Sequence, residues 1–146
     1  LQLTAMTEQA PNPDSRVRLG SRRDAFGLPV ARLEWRLSEL DRRSIRGAQD
    51  AFDATLRDAG LGRVVCKLGD EPVEAHLQGQ WHHMGTTRMH RDARQGVVDA
   101  QGRVHAMANL YVTGSSVFPT AGYANPTLTL VALALRLADH LRDSST

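Results

Sequence analysis

The sequence predicts a mixed α/β fold (α+β), and three observations predict it. Short runs that alternate apolar and charged residues read as strands. One long stretch repeats its apolar residues at three- and four-residue steps and reads as a helix. A proline-opened apolar stretch near the C-terminus reads as a second helix.

The elements follow in order. Residues 7–16 are polar and turn-rich, and Pro11 and Pro13 favour an extended loop over a helix. Val17 and Leu19 alternate with Arg16 and Arg18, a turn is expected at Phe26-Gly27-Leu28-Pro29, and Leu33, Trp35 and Leu37 alternate with Arg32, Glu34 and Arg36. That pattern predicts a half-buried strand, with Trp35 as an anchor in the sheet. The period then changes. Ile45, Ala48, Phe52, Leu56 and Ala59 share one helical face, Ser38 is a suitable N-cap, and Gly60 and Gly62 supply the stop. A helix is expected over roughly 39–59. Val64–Leu68 reads as a short strand, residues 97–98 and 104–105 as two more around a turn, and Leu110–Thr113 as another that ends at Gly114. Asn125 as N-cap and Pro126 at the first helical position open the second helix. Leu128, Val131, Ala132, Leu135 and Ala138 are its expected buried face, to about Arg142.

Composition bounds the function. The 146 residues are 41% hydrophobic and 23% charged, enough for one domain with a core and too apolar for a disordered chain. A net charge of +2 argues against an electrostatically driven nucleic-acid partner. Cys66 is the single cysteine, which excludes an internal disulfide and a multi-cysteine zinc site. It suits a reducing compartment, which favours the cytoplasm without fixing it. No membrane span is expected, because the longest apolar candidate, Leu128–Leu137, is too short and is interrupted by Thr129 and Arg136. The chain lacks a starting Met and reads as a piece of something longer.

Two stretches carry the chemistry: Trp81-His82-His83-Met84-Gly85-Thr86-Thr87-Arg88-Met89, and 114–127, from Gly114-Ser115-Ser116 to Asn125-Pro126-Thr127. The second reads as a strand end, a glycine-bearing loop and a helix N-terminus, which aims backbone N–H groups at one point and favours an electron-rich ligand. An ordinary strand–loop–helix connection explains the same spacing. His82, His83, His90 and His105 have no zinc-motif spacing, Gly114-Ser115-Ser116 is not a Gly-x-Ser-x-Gly elbow, and Cys66 in an apolar run reads as core. No metal site is assigned.

Taken together, the motifs resemble the C-terminal part of the glucose–methanol–choline (GMC) flavoprotein oxidoreductases. The matching features are His82-x-x-Gly85-Thr86-x-Arg88-Met89, Gly96-Val97-Val98-Asp99, Asn109-Leu110-Tyr111-Val112, Ser116-Val117-Phe118-Pro119-Thr120 and Asn125-Pro126-Thr127-Leu128-Thr129. Upstream, Glu8-Gln9-x-Pro11-x-Pro13-x-Ser15-Arg16-Val17 fits the same family style, so the resemblance covers nearly the whole chain.

The resemblance implies FAD-dependent oxidation of an alcohol, such as a sugar, cyclitol or related polyol, to an aldehyde or ketone. It implies that His82 is the base and that Asn125 is the second catalytic residue, donating to the substrate oxygen. It also implies flavin contacts from Gly114, Ser115, Asn125, Pro126 and Thr127, with His83 shaping the substrate pocket. Residues 1–104 are then expected to be mostly substrate-binding domain, and 105–146 the last strand and helix of the FAD-binding domain. No Gly-x-Gly-x-x-Gly follows a strand in these residues, so the main FAD grip is expected from an N-terminal half, in the same gene product or a separate polypeptide. The alternative is an inactive detached fragment or a non-catalytic subunit.

Overall fold

The computed structural model describes residues 4–65, 73–79 and 82–144. Its elements are β1 (Arg16–Arg23), β2 (Pro29–Glu34), α1 (Glu39–Asp58), a 3-10 turn at Val73–His76, a second at Ser115–Val117, and α2 (Thr127–Asp143). The chain forms two compact units, Leu1–Gln80 and Trp81–Thr146. The mixed α/β expectation holds, with fewer regular strands than the sequence suggested.

In the first unit, β1 and β2 form an antiparallel hairpin with Val17 opposite Leu33 and Leu19 opposite Ala31. The turn is set by Asp24, whose carboxylate accepts from the N–H groups of Phe26 and Leu28, both at 2.9 Å. It therefore closes before Pro29, which opens β2 rather than ending the turn. The strand expected to run through Trp35 and Leu37 stops at Glu34. Trp35 lies beyond it and donates its indole N–H to Gln9 Oε1 at 2.8 Å, so it ties a loop rather than anchoring the sheet. Alternation promised a half-buried strand, yet Leu19 and Leu33 are 76% and 64% exposed. With only two strands, no layer covers that face among the described residues.

Helix α1 begins where the capping chemistry puts it. Ser38 is the N-cap, its hydroxyl accepts from Asp41 N–H, and the Asp41 carboxylate accepts from Ser38 N–H, completing a capping box. Asp41 also accepts from Ala10 N–H at 2.7 Å, which fastens the proline-rich loop to the helix. Leu37, Asp41 and Val73 are the buried residues of this unit among those described. Of the strand expected at Val64–Leu68, Val64 and Val65 are irregular, with Val64 N–H donating to Asp53 at 2.6 Å. Cys66–Leu68 lies outside the described residues.

In the second unit the expected strands reduce to isolated bridges, Met89 with Val98, Val98 with Val104, and Arg103 with Tyr111. The turn between the two short strands is present: Asp99 N–H donates to Arg103 O at 2.8 Å and Gly102 N–H to Asp99 O at 3.0 Å. Its glycine is required, because Gly102 has φ +81° and a Cβ there would meet Val112 O at 2.8 Å. The segment 110–113, expected as a strand, exchanges main-chain bonds with 102–104 and forms no regular ladder among the described residues. Val98, fully buried, and Val117 are the core of this unit.

Helix α2 departs from expectation at its start and in its facing. Pro126, not Asn125, occupies the cap, and Leu130 N–H donates to Pro126 O at 2.9 Å. Asn125 is thus one residue too early to cap. The helix ends at Asp143. Its inward side carries Leu130, Leu133, Ala134 and Leu137, and Leu133 and Leu137 close on Met89, Val112 and Val117. The stripe predicted to be buried faces outward: Leu128 is 84%, Val131 48% and Leu135 63% exposed, and Ala132 and Ala138 are exposed too. The helix is apolar on more than one side, so periodicity alone could not select the packed face.

Candidate active site

The His82 stretch is irregular backbone laid against the 3-10 turn at Ser115–Val117. Three main-chain bonds join them: Gly85 N–H to Ser115 O at 3.3 Å, Thr87 N–H to Ser116 O at 2.9 Å, and Met89 N–H to Val117 O at 2.8 Å. Two side-chain bonds add to these. The Ser115 hydroxyl donates to His83 O at 3.2 Å, and the Thr87 hydroxyl donates to Ser116 Oγ at 2.7 Å. The two stretches singled out in the sequence are therefore one knitted assembly.

Gly85 makes that approach possible. Its φ is +76°, and a Cβ there would stand 3.2 Å from Phe118 O, inside ordinary contact distance. Arg88 N–H donates to Gly85 O at 3.3 Å, which closes a turn and brings Thr87 to Ser116.

Each predicted residue has a definite place. His82 and His83 are exposed on the loop, and the His83 carbonyl is held by Ser115. Gly114 precedes the 3-10 turn with φ +114° and ψ −173°, extended toward the mirror-β region open to glycine. Asn125 and Thr127 are exposed and Pro126 is half-buried. The bonds above join the His82 loop to Ser115 and Ser116; Asn125 and Pro126 come to the assembly through the chain that follows.

The start of α2 has no side-chain cap. Helical geometry leaves the first N–H groups without partners inside the helix, and Pro126 has none to give. The donors available at that end are thus the N–H groups of Thr127, Leu128 and Thr129, together with the exposed Asn125 amide. Such a set suits an electron-rich ring edge or a small anion, reinforced by the helix dipole.

The other histidines are used within the fold. His90 Nδ1 accepts from Asp92 N–H at 2.9 Å, and His105 Nε2 lies 2.8 Å from His90 O. A carbonyl only accepts, so His105 carries its proton on Nε2. Among the described residues no group of three or more His, Cys, Asp or Glu side chains is arranged to hold a metal ion. No described helix is long and apolar enough to cross a membrane.

Sequence reasoning missed Thr87 and Ser116. The doublets Thr86-Thr87 and Ser115-Ser116 were visible, but spacing does not say which hydroxyl of a doublet turns toward the other strand of chain.

Residues 11–134 match the GMC oxidoreductase family in its C-terminal domain. The chain is 35% identical over 138 residues to paromamine 6'-oxidase of Streptomyces fradiae, an alignment that covers 94% of this chain and 25% of that protein. It is 35% identical over 125 residues to C-glycoside 3-oxidase of Microbacterium trichothecenolyticum, covering 84% of this chain and 23% of that one. The crystal structure of pyridoxine 4-oxidase from Mesorbium loti has the same fold over 88% of this chain and 27% of its own, with a TM-score of 0.58 at 23% identity. The chain thus spans about a quarter of the length of the curated relatives it matches. On the extent of the family match, the chain belongs to the GMC oxidoreductases, whose members depend on FAD, and corresponds to their C-terminal domain.

Proposed function

We propose that this chain supplies the proton-handling half of an FAD-dependent oxidation of an alcohol carried on a sugar, cyclitol or related polyol. The observation that carries the reading is the knitting of the His82 loop onto the 3-10 turn that leads, through Asn125, to the uncapped end of α2. The relatives named for paromamine and C-glycoside oxidation support the substrate class.

His82 is the base in this reading. A neutral imidazole takes the hydroxyl proton on its unprotonated ring nitrogen. Asn125 donates its amide N–H to the substrate oxygen as negative charge builds there, an interaction stronger in the transition state than in the ground state. An amide does not accept a proton at neutral pH, so the site has one base. His83 shapes the wall on which the polyol rests. Bound FAD would supply the hydride acceptor at flavin N5. The N–H groups of Thr127 and Leu128, set in place by Pro126, would help hold the flavin, and Gly114 and Ser115 would permit close backbone approach to the cofactor. The uncapped helix end fits this role.

On this reading residues 1–104 serve mostly the substrate-binding domain and 105–146 the FAD-binding domain. The N-terminal half that grips the dinucleotide is the partner. Because the chain spans about a quarter of its relatives, the second reading is a detached, non-catalytic piece.

The test uses the full-length flavoprotein that carries these residues, with aminoglycoside and C-glycoside substrates in rapid mixing. His82→Ala should slow flavin reduction at least about a hundredfold, the range of general-base catalysis, with FAD content unchanged. Undiminished reduction would remove His82 as the base.

A further inference from the structure

We propose that Thr87 and Ser116 form a hydroxyl clamp that positions His82 for proton transfer. The proposal rests on the assignment of His82 as base. Neither residue is expected to touch substrate or flavin, and their effect is exerted through the backbone between them and the histidine.

The geometry is specific. The Thr87 hydroxyl donates to Ser116 Oγ at 2.7 Å, both residues half-buried, and the bond spans 29 positions of chain. On the same two residues, Thr87 N–H donates to Ser116 O at 2.9 Å. Thr87 is therefore held at main chain and side chain by one residue of the 3-10 turn. From that point the loop returns toward His82 through two further ties, Gly85 N–H to Ser115 O at 3.3 Å and the Ser115 hydroxyl to His83 O at 3.2 Å. These last two bonds are the longer ones. The short pair at Thr87 and Ser116 is the fixed end of the loop, and His82 is its exposed end.

A loop fixed at one end by short bonds and exposed at the other needs a rigid root to keep its tip in register. Misplacing a reacting group by about an ångström can cost about a hundredfold in rate, although no contact to substrate is lost. The clamp thus acts on the rate of the chemical step and leaves substrate and cofactor affinity in place. Thr87 has only a hydroxyl and a methyl with which to meet Ser116. Valine keeps its shape and removes the bond, whereas serine keeps the bond and removes the methyl.

The experiment compares Thr87→Val, Ser116→Ala, their double variant and Thr87→Ser in the full-length flavoprotein, with His82→Ala beside them. Flavin reduction at saturating substrate, KM, FAD content by absorbance and thermal midpoint are read for each. Thr87→Val and Ser116→Ala should each slow reduction about tenfold or more. KM and FAD content should stay near wild type, the double variant should be no slower than the slower single variant, and Thr87→Ser should restore most of the rate. Independent, multiplicative losses in the double variant would overturn the clamp, as would losses in FAD content and thermal midpoint that account for the rate. Wild-type rates in both single variants, with His82→Ala inactive, would overturn the clamp and leave the base assignment standing. An active His82→Ala protein would overturn both.

Discussion

Asp41 shows how one side chain can fix a local structure. It is 6% exposed and accepts three short hydrogen bonds, from Ala10 N–H, Ser38 N–H and the Ser38 hydroxyl, each at 2.7 Å. Burial pushes its carboxyl up, but the bonds from Ala10 and Ser38, with the charge of Arg42, outweigh burial and hold it below its ordinary value of 3.8. The sign follows. A carboxylate with a lowered folded pKa contributes stability above its unfolded pKa and loses it as pH falls through the folded one. Stability of the first unit should therefore decline as pH drops below about 4. Asp41→Ala should cost about 2–3 kcal/mol at neutral pH, since it leaves buried donors without an acceptor, and should make that acid decline shallower, with Asp53 and Glu74, also held below their ordinary values, supplying the remainder. Urea unfolding at pH 7 and pH 3 measures both. An unchanged midpoint at pH 7 would show that the loop and helix do not depend on this carboxylate.

At the scale of the element, α2 separates pattern from packing. Leu130, Leu133, Ala134 and Leu137 lie inward while Leu128, Val131 and Leu135 lie outward, although both sets satisfy helical spacing. Leu133→Ala removes packing against the Val117 region and should destabilise the second unit by about 2–3 kcal/mol. Leu128→Ala, at a position 84% exposed, should change stability by less than about 0.5 kcal/mol. Chemical denaturation of the two variants in parallel decides it, and equal losses would contradict the facing described above. In α1 the outcome is different. Its start at Ser38 was readable because the capping box is a local device, closed within four residues.

At the scale of the whole chain, the two units leave large apolar side chains exposed on both the hairpin and α2: Leu19, Leu33, Leu128 and Leu135 are each more than 60% exposed. The curated relatives are about four times as long. No glycine-rich dinucleotide fingerprint lies in these residues. The chain purified by itself should therefore show no flavin bands in its visible spectrum. Clear flavin absorbance, with no second polypeptide in the preparation, would mean that these 146 residues hold the cofactor on their own.

The sequence by itself determined whatever is closed by near neighbours. The extent of α1 and its Ser38 cap, the turn at Asp99–Arg103 and the family motifs around His82 and Asn125 all depend on short-range chemistry or on residue identity. Tertiary structure decided the rest. Strand pairing needs a partner remote in sequence, so 97–98, 104–105 and 110–113 could look like strands and yet form only bridges. The packed face of α2 depends on which side meets Val112 and Val117, and an apolar repeat on more than one side leaves that open. The bond between Thr87 and Ser116 spans 29 residues, so no local pattern announces it. It exists because Gly85 lets two loops approach within hydrogen-bonding distance.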